Sequence, residues 1–360
     1  MIWPLLRSAL FRLDAETAHR LAHAAFGLVT PGFARLKRPV PPPSLAVECM
    51  GLRFDSPIGL AAGFDKGDAH LAALFALGFS HVEIGTITPR PQPGNDRPRL
   101  FRIPEAKALV NRMGFNNAGA EVCARRLAAA PPAARFGPVG VNIGKNKVTP
   151  NERAVEDYVA CIDALHAQAD YLVVNISSPN TPGLRALQER GALEKLIRAC
   201  AARLAERAPG KPLLLKLAPD LEPEAFDEAV DVAIDAGANG IIATNTTLSR
   251  PGLEANAVAR EQGGLSGAPL EPLATACVRR AYARARGRVP IIGAGGVMTA
   301  ADAWAKIRAG ATLVQAYTGF VYGGPSFVRT VNEGLAELMA HDGFCSVAEA
   351  VGADHRHAKG

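Results

Sequence analysis

The sequence predicts an α/β fold: a closed (β/α)8 TIM barrel with a small N-terminal helical extension. Two observations and one missing motif carry this. From residue 45 onward, eight short apolar runs alternate with amphipathic helical stretches, the pattern of a parallel sheet covered on both faces. Small and polar residues gather just past the end of each run, where a barrel opens its binding face. A doubly wound open sheet is the alternative, but its GxGxxG turn after the first strand is missing: residues 59–67 read GLAAGFDKG.

Residues 3–12 and 14–29 read as two helices, with Trp3, Leu6 and Leu10, then Leu21, Ala25 and Leu28, at helical spacing. Asp14 is placed to cap the second helix, with Thr17 three residues on, and Pro31-Gly32 is expected to end it. Scattered arginines beside these apolar faces fit either a segment lying on a membrane interface or an amphipathic pair packed on its own domain. The proline-rich run from Pro39 to Pro43 is a stiff linker. The chain thus divides into a helical module (1–38), a linker (39–44), a barrel (45–342) and a C-terminal tail (343–360).

After a hairpin over Val47–Phe54, the predicted strands are Ile58–Ala62, His81–Thr88, Val139–Ile143, Tyr171–Ile176, Leu213–Leu217, Gly240–Thr244, Pro290–Ile292 and Leu313–Tyr317. Helices are predicted over Ala69–Leu77, Glu152–Ala167, Leu187–Ala205, Pro223–Ala236, Leu270–Arg286 and Ala300–Ala309. The longest excursion, 89–118, follows the second strand, and a long loop in a compact domain is usually functional.

Composition narrows the classes. A hydrophobic content of 48% with 35 Gly and 27 Pro fits a globular α/β enzyme with many tight loops. Of the net charge of +6, residues 1–38 hold +4, which argues against a broad nucleic-acid surface on the remainder. The six cysteines are dispersed without a CxxC, so neither a disulfide frame nor a zinc site is expected. His19 and His23 have the i, i+4 spacing of a metal pair, but without a third ligand in reach they read as core or interface residues, and no metal is expected. No apolar run is long enough to span a bilayer, and no signal-peptide cleavage pattern opens the sequence.

The chemistry is expected at the strand ends. The fourth run, Tyr171–Ile176, leads into Ser177-Ser-Pro-Asn-Thr-Pro-Gly183, where two prolines and a glycine forbid further pairing. By itself SSPN is an ordinary turn. The same event recurs around the barrel, however, with Ala62-Gly63 and Lys66, Thr86, Asn111 to Asn117, Asn142, Asn175, Lys216, and Thr244-Asn245-Thr246. Amides offer donor and acceptor together, which suits a flat heterocycle with alternating C=O and N–H groups. After the seventh and eighth strands, GAGG (293–296) and Tyr317-Thr318-Gly319 let backbone N–H groups close around a phosphate. Lys216 lies within an apolar strand, an expensive place for a cation unless negative charge develops beside it. Reduced flavin supplies such charge, so the phosphate loops and this lysine together favour FMN.

In order, the motifs AAGFDK, NRMGFNN, VNIGKN, VNISSPNTPGLR, KLAPD, IATNTT, GGLSG and GAGGV resemble the dihydroorotate dehydrogenase family over nearly the full chain. SSPN and the helical extension resemble its class 2, quinone-dependent branch; class 1 enzymes carry a cysteine base and lack the extension. The resemblance implies one non-covalent FMN held by Ala62, Gly63, Lys66, Thr86, Asn142, Asn175, Lys216, Thr244, Gly267, Gly296, Tyr317 and Thr318. It implies a dihydroorotate/orotate site formed by Lys66, Asn111, Arg112, Met113, Gly114, Phe115, Asn175, Asn180, Asn245 and Thr246. Ser178 would be the base, with the loop from 178 to about 185 as its lid, and His19 and Arg102 would line a quinone tunnel. A ubiquinone-type acceptor and peripheral attachment to the cytoplasmic face of the cell membrane follow from the same resemblance.

Two competing readings make different demands. A dihydrouridine synthase acting on RNA would want a basic RNA-binding surface, yet the positive excess lies in the helical module. A non-catalytic flavin- or phosphate-binding barrel has no use for Ser178 or the amide cluster.

Overall fold

A computed structural model describes residues 2–33, 39–131 and 135–357. Its centre is a closed barrel of eight parallel strands: β3 (Ile58–Leu60), β4 (Val82–Ile87), β7 (Val139–Ile143), β8 (Tyr171–Asn175), β9 (Leu213–Leu217), β10 (Gly240–Ala243), β12 (Ile291–Ala294) and β13 (Ala311–Ala316). These are the eight predicted runs. Residues of β4, β7, β8, β9, β10 and β12 are buried throughout, because helices cover the barrel outside and side chains fill it inside. The helices are α3 (Leu71–Ala76), α4 (Ala120–Ala129), α5 (Ala154–Leu165), α6 (Arg190–Arg207), α7 (Pro223–Asp235), α8 (Glu271–Ala285), α9 (Ala300–Ala309), α10 (Thr318–Gly323) and α11 (Phe327–His341). The predicted hairpin is β1 (Val47–Cys49) with β2 (Leu52–Phe54), antiparallel.

The excursion after β4 is not the plain loop expected. It contains β5 (Leu100–Ile103) and β6 (Ala108–Asn111), and β11 (Gly264–Gly267), from far along the chain, pairs with β6 in a small antiparallel sheet. Ile103, Ala108, Val110, Ala259 and Leu265 form a separate apolar cluster beneath it. Such a satellite core gives the excursion a fixed shape, so the residues it carries to the barrel mouth are held rather than loose.

The N-terminal helices are α1 (Ile2–Phe11) and α2 (Ala15–Phe33). Asp14 caps as predicted, its Oδ1 accepting from Thr17 N at 2.9 Å. Pro31 does not stop α2 at once. A proline removes one backbone bond and crowds the preceding turn, yet the helix runs through Pro31 and Gly32 to Phe33, where this described stretch ends. The module's other expected boundary, residue 38, lies outside the described residues, as do Arg35, Lys37 and Arg38. Of the two readings, packing on the chain's own domain is seen directly. One side docks on the barrel: Trp3 Nε1 donates to Tyr322 O (3.1 Å), and Phe11 meets the Tyr322 ring edge-on at 5.3 Å. The other side leaves Leu5 (76% exposed), Leu6 (47%), Leu13 (41%) and Leu21 (50%) in solvent.

The expected tail folds as well, as α12 (Val347–Ala350) and α13 (Ala353–His357). Asp354 accepts from Arg308 Nε (3.0 Å) and Arg279 Nη2 (3.2 Å), and the His355 ring lies 4.9 Å from Tyr282, so α13 clips α8 to α9. Residues 358–360 lie outside the described residues. No described helix is long and apolar enough to cross a membrane.

Candidate active site

The strand ends open into one cleft that encloses about 1120 Å³, open solvent at its mouth included. Its wall includes Ala62, Gly63, Lys66, Thr86, Asn175, Lys216, Thr244, Gly267, Gly296, Tyr317 and Thr318, all predicted cofactor residues. Asn111, Met113, Gly114, Phe115, Asn180, Asn245 and Thr246, predicted for the substrate, line it too, and so does Ser178. Residues separated by up to 256 positions in the sequence therefore meet in one place, because parallel strands present all their C-terminal ends on one face.

Two of the predicted cofactor and substrate residues stand elsewhere. Asn142 is fully buried below the wall, where its Oδ1 accepts from Thr86 Oγ1 (2.6 Å) and Asn175 Nδ2 (3.0 Å). It orients two wall residues without reaching the cleft itself. Arg112 points off the wall: its Nη1 donates to Glu261 Oε2 at 2.7 Å, and its guanidinium lies over the Phe101 ring. The neighbouring carboxylate and ring satisfy the guanidinium outside, and only its backbone neighbours face inward.

The floor holds the residue that sequence reasoning missed. Glu83, the second residue of β4, is completely buried. Its Oε1 accepts from Asn142 Nδ2 (2.9 Å) and stands 3.7 Å from Lys216 Nζ, and its Oε2 accepts from Gln315 Nε2 (2.7 Å). Lys216 is thus not a cation waiting for a ligand's charge, as the sequence suggested; a buried carboxylate already pairs with it. The signal was present. An acid inside the run HVEIGTIT is as costly to bury as a lysine inside LLLKL, and each cost calls for the other.

Two loops present the charged and nucleophilic groups. Asp65 accepts from the backbone N–H groups of Gly67 (2.9 Å), Asp68 (2.8 Å), Ala69 (3.2 Å) and His70 (2.9 Å), which curls the loop after β3 and fixes Lys66 at the cleft edge. Burial pushes the Lys66 ammonium down to about 8, with Arg99 nearby adding to the effect. After β8, Asn175 Oδ1 accepts from Ser177 N (3.2 Å) and Ser177 Oγ (3.0 Å), turning the chain sharply. Ser178, 5% exposed, accepts at Oγ from Asn180 N (3.2 Å), and Asn180 Nδ2 donates to Asn111 Oδ1 (3.2 Å) on the excursion. Arg185 pins the far end of this loop to Ser177 O (2.9 Å), Asp220 Oδ2 (2.8 Å) and Thr246 O (3.0 Å).

The opposite wall is made mostly of small residues. Ala294, Gly295, Gly296 and Val297 face Thr318 and Gly319 across it. Gly296 has φ +76°, and a Cβ there would fall 2.3 Å from Glu271 Cα, so only glycine brings this backbone so close. Gln315 lines the floor as well, its Nε2 donating to Glu83 Oε2 at 2.7 Å.

His19 and Arg102 lie outside the cleft. His19 stacks edge-on against Phe64 (5.2 Å), which in turn meets Tyr317 of the cleft wall (5.8 Å). Burial, with Lys66 nearby, holds the His19 ring well below the ordinary histidine range. Arg102 donates from Nη1 to Leu10 O (3.3 Å) and from Nη2 to Leu13 O, and covers the Phe11 ring, fastening the turn between α1 and α2. The i, i+4 histidine pair is not the metal-like cluster. His23 instead has Asp68 and His70 within 4.8 Å, while Arg126 Nη1 holds the other Asp68 oxygen at 2.8 Å.

Comparison with known proteins agrees with this architecture. The dihydroorotate dehydrogenase family profile matches residues 44–339. A dihydroorotate dehydrogenase (quinone) of Anaeromyxobacter sp. (strain Fw109-5) is 75% identical over 354 residues, covering 98% of each chain. The one of Myxococcus xanthus (strain DK1622) is 56% identical, covering 99% of this chain and 98% of its own. Among solved structures, DHODH from Eimeria tenella in complex with ferulenol superposes with a TM-score of 0.88 at 39% identity, covering 97% of this chain and 99% of that one. With its eight-stranded barrel and the cleft at the strand ends, this chain belongs to the dihydroorotate dehydrogenase family, whose members are flavin enzymes.

Proposed function

We propose that the chain oxidises (S)-dihydroorotate to orotate, the redox step of pyrimidine synthesis, and passes the electrons to a membrane quinone. The observation that carries this reading is the meeting of Ser178, the amides and the small-residue anion cradle in one cleft. The residues present suit FMN. The loops at 294–297 and 317–319 offer backbone to its phosphate, with Gly296 where a Cβ would not fit. Lys216, held by Glu83, sets a positive charge beside the ring system. Bound there, FMN would supply a two-electron acceptor for the hydride leaving substrate C6 and a donor to the quinone.

The chain's own residues do the rest. Lys66 pairs with the substrate carboxylate, and Asn111, Asn175, Asn180 and Asn245 match the alternating donors and acceptors of the dihydropyrimidine ring. Ser178 takes the C5 proton. A serine is a poor base in water, and its near-complete burial, with Oγ oriented by Asn180 N, is what makes the role feasible. The exposed leucines of α1 and α2, beside Arg7, Arg12 and Arg20, suit a helical pair lying in an anionic bilayer interface on the cytoplasmic face of the cell membrane. From there the aromatic line His19–Phe64–Tyr317 leads to the cleft wall, a path for a ubiquinone-type head group.

The test is the spectrum of the purified protein. It is expected to be yellow, to bleach with dihydroorotate under anaerobic conditions and to recolour with a quinone. A protein that takes up FMN yet stays yellow with dihydroorotate overturns the proposal.

A further inference from the structure

A second cavity, enclosing about 990 Å³ with open solvent at its mouth included, lies between α2 (His19 among its residues), the loop after β3 and the excursion after β4. It abuts the cleft, since Lys66, Met113 and Asn116 line both. Its charge is one-sided. Arg20, Arg97, Arg99, Arg126 and Lys66 line it against only Glu16 and Asp68. Both acids are already engaged: Glu16 accepts from Arg97 (3.0 Å) and Arg99 (2.8 Å), and Asp68 from Arg126 (2.8 Å). A net positive field remains. The cations are also graded in depth, with Arg97 57% exposed, Arg126 43%, and Arg99 6% exposed close to Lys66. A cavity lined by one sign of charge between low-dielectric walls concentrates the opposite ion.

The other way into the cleft is through the loop after Ser178. Three Arg185 hydrogen bonds fasten that loop, and Asn95 Nδ2, itself on the excursion, donates to Asn180 O at 3.0 Å. Opening there breaks several bonds at once, whereas the second cavity reaches Lys66 without breaking them.

We propose that this cavity is the vestibule through which the carboxylate-bearing substrate enters and its product leaves, passed inward along the graded cations to Lys66. The proposal rests on the reading that the cleft takes dihydroorotate and orotate.

The experiment is stopped-flow binding of orotate to the flavin-loaded full chain, followed in the flavin band. Two variants are compared with the parent. Ala118→Trp plugs the vestibule wall without touching the cleft. It is expected to slow association and dissociation alike, leaving Kd unchanged, because a passage affects both directions equally. Arg20→Glu reverses a charge on the exposed side of α2 and settles the matter should the tryptophan prevent folding. It is expected to slow association by about two- to tenfold at low salt, with the difference vanishing near 0.5 M salt, roughly where screening shortens the Debye length to a few ångströms. The uncharged methyl ester of orotate should not distinguish Arg20→Glu from the parent. Parent-like rates in both variants overturn the vestibule while the cleft reading stands. Failure of orotate to bind the parent chain overturns the cleft reading, and the vestibule with it.

Discussion

Glu83 offers the sharpest test of how this site is held together. It is fully buried and serves three donors: Asn142, Gln315 and Lys216. Glu83→Gln keeps its size. If the new NH2 faces Gln315, that side chain can turn its unpartnered Oε1 toward it, so the hydrogen bonds survive and only the charge is lost. Lys216 is then a buried cation without a counter-charge, a loss of about 3–5 kcal/mol by analogy with other broken buried pairs. At about 2 °C per kcal/mol for a chain of this size, Tm should fall by roughly 6–10 °C. Glu83→Ala should cost more, because two buried amide donors each lose an acceptor, about 1–3 kcal/mol apiece. The decisive arm is the double variant Glu83→Gln/Lys216→Met. With the cation gone most of the loss should return, a coupling that scanning calorimetry reads from the four-protein cycle. If the double variant melts no higher than Glu83→Gln alone, the penalty does not come from the lysine and the reasoning fails.

Other tests concern the chemistry and the membrane. Ser178→Ala should leave FMN content and orotate affinity near those of the parent while anaerobic flavin reduction by dihydroorotate slows by about 10²- to 10⁴-fold; an unchanged single-turnover rate removes Ser178 from the mechanism. Lys66 binds a carboxylate only when protonated, and burial holds it down to about 8, so orotate affinity should be full below that pH and weaken as pH rises through it. The bound carboxylate lifts the lysine in the complex, so the weakening reflects the free protein's titration, and a flat affinity up to pH 9.5 would contradict it. Leu5→Glu/Leu21→Glu changes exposed side chains only, and should weaken flotation with anionic vesicles by about tenfold or more, since each leucine is worth roughly 1.5–3 kcal/mol when buried. Reduction by dihydroorotate should be untouched; unchanged vesicle binding would move the membrane face elsewhere.

The barrel was legible because its eight strands are short, apolar and separated by helical periodicity, signals that need no knowledge of the distant chain. The small sheet of β5, β6 and β11 was not. Its strands are four residues each, and β6 finds its second neighbour about 150 residues away, so nothing local marks the pairing. Local signals likewise predicted Asn175 and Ser178 at the end of β8, where prolines break the strand. They could not tell that Arg112 turns outward while Met113 beside it faces in, since that depends on Glu261 in another loop.

The same limit explains the error at Lys216. Reading one strand at a time, a buried cation seemed to need a ligand's charge, and this led to the right cofactor class by an incomplete route. In the barrel, Glu83 on β4, Asn142 on β7, Lys216 on β9 and Gln315 on β13 converge inside. No two of these strands except β4 and β7 are neighbours in the sheet. The lysine therefore enters the site already paired and fixed, and what it offers the proposed ring is a positive end held 3.7 Å from its own counter-charge. A lysine free to swing would lose rotamer entropy when charge develops beside it, whereas this one has lost it on folding. That is why the carboxylate beneath the lysine, rather than the lysine alone, is the residue whose removal should be felt both in stability and at the site.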